Sequence, residues 1–232
     1  MCDDRSVFPD LNAVFFDVGN TLLFPDQSII LAPLYQRSIV PTIEQWHAIE
    51  RRTKKEFDAV MESAGHADHS YWFLFYSHLV DELRIMDDTI RDSLVAATRV
   101  SANWGDARPE TRDILKRLGR RYRLAVISNA DGKIDAVLAR NGIADCFETT
   151  TDSGLVGYEK PHPAIFEAAL RSLSVTANES LYVGDVHSVD YLGATRAGMQ
   201  AILFDVAGVY SDDDLPCVAS LEELELRLTK RV

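Results

Sequence analysis

The sequence predicts an α/β protein, a three-layer Rossmann-like parallel sheet core carrying an inserted α-helical cap subdomain. Three observations lead there. Short apolar runs at 13–16, 124–127, 181–183 and 201–204 each end at once in polar or turn residues, as strands buried on both faces do. Helical patterns separate the later runs, which implies parallel crossovers. Between the first two runs, residues 28–100 show long helical periodicities and no strand-like alternation.

In chain order, Ala13–Phe16 runs straight into Asp17 and a Gly-Asn-Thr turn. In open parallel sheets ligands bind beyond the carboxyl ends of the strands, which is where Asp17 falls. LLFPDQS then turns, and Ser28 is placed to cap a helix. Thr42 is a second candidate cap, ahead of a helix over 44–61 that sets Trp46, Ile49, Phe57 and Val60 among charges. Residues 65–69 break the pattern, a helix rich in aromatics covers 71–83, and another covers 89–101. The aromatic stripe reads as core packing. A helix from Thr111 ends at Gly119, the strand 124–127 ends at Ser128-Asn129, and a helix over 131–141 stops at Asn141-Gly142. A short strand at 147–151, a helix at 163–173, the strand 181–183 ending at Gly184-Asp185, a helix at 194–197 and the strand 201–204 ending at Asp205 complete the pattern. The expected division is a core of residues 1–24 and 102–232 with a helical cap of residues 25–101.

Composition narrows the function. The 232 residues are 47% hydrophobic and 26% charged, with a formal net charge of −12, ordinary for a soluble globular protein. The negative balance argues against nucleic-acid or anionic-membrane partners, which need clustered Lys and Arg. Cys2, Cys146 and Cys217 form no C-x-x-C pair; so sparse a set suits a reducing compartment, and a cytoplasmic location is expected. The N-terminus has no signal-peptide core, and no apolar run approaches a membrane span. The sequence leaves monomer and homodimer open.

Three strand ends supply polar residues able to meet at one edge: Asp17, Ser128-Asn129 and Gly184-Asp185. Lys160 lies in YEKPHPAIF, between the last two. With FFDVGNTL, VISNADG and YVGDVHSVDYLGATRAGM, in that order, these motifs resemble the haloacid dehalogenase-like hydrolase superfamily, in its helical-cap branch. The resemblance implies that Asp17 is the nucleophile of a covalent aspartyl intermediate. It implies that Ser128 and Asn129 contact the phosphoryl group, with Lys160 offsetting its charge. It further implies Mg²⁺, held by Asp17, Asp185, Asp190 and the carbonyl of Gly19. The substrate expected is a small phosphorylated metabolite.

One residue departs from the pattern. Phosphatases of the superfamily carry a second Asp two residues after the nucleophile, as general acid and base; here the position is Gly19. Such assistance is worth about 10² to 10⁴ in rate. Either His187, His66 or His69 replaces it, or the leaving group needs no acid, or the protein binds a phosphorylated ligand with weak or no turnover. A 2-haloacid dehalogenase is the enzymatic alternative. A phosphonatase is disfavoured because Lys54 and Lys55 read as solvated residues on a charged helix face.

Overall fold

The structure, a computed structural model, describes residues 8, 10–64 and 70–229. Among the described residues, eight strands and eleven α-helices follow one another. Strand β1 (Ala13–Phe16) is buried throughout and leads through β2 (Phe24–Pro25) into a helical insertion. The insertion comprises α1 (Gln27–Ile30), α2 (Ala32–Tyr35), α3 (Ile43–Ala64), α4 (Tyr71–Glu82) and α5 (Asp88–Thr98). The chain returns through β3 (Trp104–Asp106), which pairs antiparallel with β2, so the two connections form one ribbon. The remaining elements are α6 (Thr111–Leu118), β4 (Arg123–Ser128), α7 (Ile134–Arg140), β5 (Thr149–Asp152), α8 (Ser153–Val156), α9 (Pro163–Leu173), β6 (Ser180–Gly184), α10 (Leu192–Arg196), β7 (Gln200–Phe204), β8 (Cys217–Val218) and α11 (Leu221–Thr229).

The main sheet has the order β5-β4-β1-β6-β7-β8, and every pairing in it is parallel. Because β1 lies between β4 and β6, the chain reverses its direction of winding beside it, and Asp17 stands at that switch point. Alternate residues of β1 serve opposite layers: Val14 and Phe16 pack with Ile114, Leu115 and Leu118 of α6 and Leu221, Leu224 and Leu228 of α11. Ala13 and Phe15 pack with Ile165, Phe166, Ala169 and Leu173 of α9. Each fully buried Val, Leu, Ile or Phe contributes about 1.5–3 kcal/mol, so β1 is the best-anchored place in the chain for a reactive side chain.

The insertion has a hydrophobic core of its own, in which Ile30, Leu34, Ile49, Phe75, Tyr76, Leu79 and Leu94 meet. Its longest helix, α3, starts at a reciprocal cap: Thr42 Oγ1 accepts from the Gln45 amide at 3.2 Å, and Gln45 Oε1 accepts from the Thr42 amide at 3.0 Å. The aromatics of α4 are core packing only in part: Phe75 and Tyr76 are buried, Tyr71 and Trp72 line a cavity, and Phe73 is exposed.

The structure adds three features the sequence reading lacks. The β2–β3 ribbon is one. The second is the C-terminal β8 and α11; the helix begins with Ser220 Oγ accepting from the Glu223 amide at 3.2 Å, and S-x-x-E was its overlooked signal. The third is a π-helical turn over His187–Tyr191 where a loop was expected. Cys146 is a free thiol. Among the described residues, no helix is long and apolar enough to cross a membrane.

Candidate active site

At the carboxyl edge of the sheet the sequence-identified residues converge. Lys160 Nζ donates to Asp17 Oδ1 at 2.7 Å, to Asp190 Oδ1 at 2.8 Å and to the Tyr182 hydroxyl at 2.8 Å. The lysine is buried, and so are both carboxylates. Burial alone would discharge it, yet Asp17 and Asp190 prevail and hold the ammonium well above the ordinary lysine range. Its backbone is fixed by Asn129, whose side chain accepts from the Lys160 amide at 2.8 Å and donates to the Lys160 carbonyl at 3.0 Å. Asn129 therefore positions Lys160, a contact the sequence does not suggest. Ser128 is buried at the end of β4 and lines the same cavity.

Asp190 is fully engaged. Its Oδ1 faces Lys160 and Tyr182, and its Oδ2 accepts from the amides of Asp185 and Val186 at 3.1 and 3.0 Å. The close approach requires Gly184, since a Cβ there would lie 2.5 Å from the Asp190 carboxyl carbon. Asp185 is held differently. Its Oδ2 meets Lys54 Nζ at 2.9 Å and the Asn20 side-chain amide at 3.3 Å.

Lys54 corrects an expectation. It is 1% exposed and reaches from α3 into the site, bonded also to Glu50 at 2.8 Å. Burial opposes its charge, but Asp185 and Glu50 outweigh burial and keep its pKa well above the ordinary value. Only Lys55 is solvent-facing, paired with Asp213 at 2.6 Å. The same face of α3 is tied to the core by Arg51, which donates to the Ala207 carbonyl at 2.8 Å. Asp58 accepts from the Ser188 amide and the Tyr210 hydroxyl, each at 2.9 Å.

The cavity under α3 and α4 has a volume of about 620 Å³. Asp17, Asp185 and Asp190 each bring a carboxylate oxygen to it within 4.8 Å of the others. In the ion-pair network beside it, four carboxylates (Asp17, Asp185, Asp190 and Glu50) meet two ammonium groups, Lys54 and Lys160, an excess of two formal negative charges within that network. Asp17 registers the excess: burial, then Asp190 and Asp185, raise its carboxyl to about 7 against the pull of Lys160. Asp185 is raised too, by burial first and then Asp190, against Lys54. Hard oxygens with unbalanced negative charge fit a divalent cation such as Mg²⁺. Both oxygens of Asp190 are already engaged, whereas Asp17 and Asp185 each keep a carboxylate oxygen that a cation could take.

Other strand ends differ in kind. The Asp152 carboxylate accepts from the amides of Gly132, Gly154 and Ile134. That of Asp205 accepts from Val209 and Tyr210. Both are structural ties.

Of the proposed replacements for the absent acid, only His187 is among the described residues, and it is not placed at Gly19. His187 is stacked on Tyr191, with ring centroids 5.5 Å apart, and does not line the cavity. His66 and His69 lie outside the described residues. Gly19 lines the cavity, and its neighbour there is Trp104, whose nearest ring carbon would lie 3.2 Å from a Cβ at position 19.

Comparison with known proteins settles the lineage. A profile described as haloacid dehalogenase-like hydrolase matches residues 11–198. The chain belongs to that family. The family is one of hydrolases. A glyceraldehyde 3-phosphate phosphatase of Pyrococcus abyssi is 29% identical over 201 residues, 84% of this chain and 81% of that one. Another, from Methanothermobacter thermautotrophicus, is 47% identical over 83 residues, but the match spans 35% of this chain and only 37% of that relative's length. Among solved structures, the HAD-hydrolase YfnB from Bacillus subtilis, bound to magnesium, aligns with a TM-score of 0.65 at 18% identity, covering 95% of this chain and 99% of that one. That likeness is one of fold.

Proposed function

We propose that the protein is a Mg²⁺-dependent phosphatase of small phosphorylated metabolites that works through an aspartyl-phosphate on Asp17. The observation that carries the reading is the buried contact of Asp17 with Lys160 in a half-open cavity lined by two further aspartates. Asp17 is the nucleophile. Lys160 and Ser128 contact the transferring phosphoryl oxygens, and Asn129, Tyr182 and Asp190 hold Lys160 in place. Asp17, Asp185 and the Gly19 carbonyl, with Asp190 alongside, would hold Mg²⁺, which would supply positive charge to keep Asp17 ionised and to offset the phosphoryl charge. The phosphatase names of the relatives and the magnesium of the structural neighbour support substrate class and metal.

Residues 25–101 form the cap in this reading, hinged at the β2–β3 ribbon and closing over the sheet edge to exclude water. The reading places the protein in the cytoplasm, where such metabolites are held. The test is a hydrolysis assay over phosphate esters, acyl phosphates and 2-haloacids, with and without Mg²⁺. Metal-dependent release of phosphate is the expected result. Halide release without metal would refute the reading in favour of a dehalogenase, and no release of either would leave only a binding protein.

A further inference from the structure

The place at which a leaving-group acid would stand is filled by an indole. A Cβ on Gly19 would lie 3.2 and 3.4 Å from two ring carbons of Trp104. The backbone at Gly19 does not have a positive φ, so space, not conformation, is what an acidic side chain lacks. Trp104 is held from several directions. Its Nε1 donates to the Thr98 carbonyl at 2.8 Å, its ring meets Trp72 edge-on at 5.6 Å, and its backbone pairs with Pro25 in the ribbon. With its single N–H committed, the indole has no proton to offer. Asp131, also on the cavity wall, is a poor acid, because bonds from Ser101 and Lys133 hold its carboxyl below the usual range. The wall opposite Asp17 is thus aromatic, and it carries one orphaned polar atom: the buried Tyr71 hydroxyl has no hydrogen-bond partner among the described residues.

We propose that this site takes phosphoryl donors whose leaving group departs without a proton, namely aryl, enol and acyl phosphates, and that Trp104 selects among them by lying against a planar group. The inference rests on the phosphatase reading and narrows its substrate class. A carboxylate oxygen of Asp17 attacks phosphorus. The bond from phosphorus to the leaving oxygen breaks, and its electron pair departs with that oxygen as a phenolate, enolate or carboxylate. Water then attacks the aspartyl-phosphate, the bond to Asp17 breaks to return the carboxylate, and the water's proton leaves with inorganic phosphate. With no base at position 19, this second step is slow for every substrate, and the aspartyl-phosphate accumulates. Glyceraldehyde 3-phosphate, an alkyl ester, has the opposite demand, so this chain diverges from its relatives in the leaving group it serves.

The experiment is rapid-quench kinetics of the wild-type protein with Mg²⁺ on glycerol 3-phosphate, phenyl phosphate, 4-nitrophenyl phosphate and acetyl phosphate. The expected result is a burst of leaving group with 4-nitrophenyl and acetyl phosphates, and formation of phosphoenzyme at least about 10²-fold slower with glycerol 3-phosphate. Rates within about tenfold of one another across the series would overturn the inference and point to another acid, with Glu159 and Tyr71 first to mutate. Absence of reaction with every donor would overturn the phosphatase reading itself. If Trp104 lies against the planar group, wild type should take 4-nitrophenyl phosphate at a lower KM than acetyl phosphate, a preference that Trp104→Phe should keep and Trp104→Ala should lose. If Trp104→Ala fails to fold, Trp104→Leu takes its place. Gly19→Asp alone should leave alkyl phosphates unhydrolysed, whereas Gly19→Asp with Trp104→Ala should raise their hydrolysis by about 10² or more; equal gains from the single variant would refute the filling of that space by Trp104.

Discussion

Replacing Lys54 by methionine tests the feature of the site that the sequence conceals. The substitution keeps the aliphatic length and removes the ammonium that bonds Asp185 at 2.9 Å and Glu50 at 2.8 Å. The Lys54 side chain is 1% exposed and those of its two partners 5% and 13%, so the carboxylates would be left buried and facing one another. Removing one partner of a buried ion pair costs about 3–5 kcal/mol. A solvated lysine on a helix face would cost no more than about 0.5 kcal/mol. Lys55→Met, which removes a half-exposed pair with Asp213, is the control, with an expected cost of about 0–1 kcal/mol. The assay is urea unfolding with both midpoint and slope fitted. A cation bound only to the folded state returns stability by mass action, about 2.7 kcal/mol at a hundred times its Kd. Mg²⁺ should therefore recover much of the loss in Lys54→Met. If Lys54→Met costs as little as Lys55→Met, Lys54 is not held in the site and the docking of α3 described above is wrong.

Asp17→Asn should lower turnover by about 10⁴-fold or more while the protein stays folded, measured by steady-state kinetics beside thermal melting; near wild-type turnover would exclude Asp17 as nucleophile. Asp185→Ala should weaken Mg²⁺ binding at least about tenfold by calorimetry, and unchanged affinity would remove Asp185 from the metal site. Burial and the charge of Arg52 outweigh Glu56 and lower the pKa of His78 from its usual 6.5. The unfolded chain then takes up the proton first, so this contribution to stability is complete above pH 6.5 and is lost as pH falls through the lowered value. Urea midpoints of wild type and His78→Gln, compared across that window, should converge as pH falls; a constant gap would refute it.

The motifs made the catalytic edge legible because a parallel sheet carries its strand ends to one place, and β1, β4 and β6 brought Asp17, Ser128 and Asp185 together as their order implied. Sequence alone does not separate those aspartates from Asp152 and Asp205, which end strands in the same way but bind backbone amides. Lys54 was illegible for a related reason. Glu50 and Lys54 stand four residues apart on a helix, the pattern of a solvated pair, and only the docking of α3 onto the core, through Arg51 and Asp58, buries them. The Gly19–Trp104 contact joins the turn after β1 to the returning strand of a ribbon too short to show periodicity. Asn129, which its place beside Ser128 assigns to the substrate, lines the cavity and has a second role that the sequence does not suggest, bonding the Lys160 backbone.

The central claim is that Asp17 becomes phosphorylated. The direct measurement is mass spectrometry of the protein quenched in acid during turnover of acetyl phosphate with Mg²⁺, followed by peptide mapping. The account predicts one phosphoryl group, on the peptide that contains Asp17, absent from Asp17→Asn and lost on treatment with hydroxylamine. Turnover with no phosphorylated peptide, or with the phosphoryl group on another residue, would contradict it.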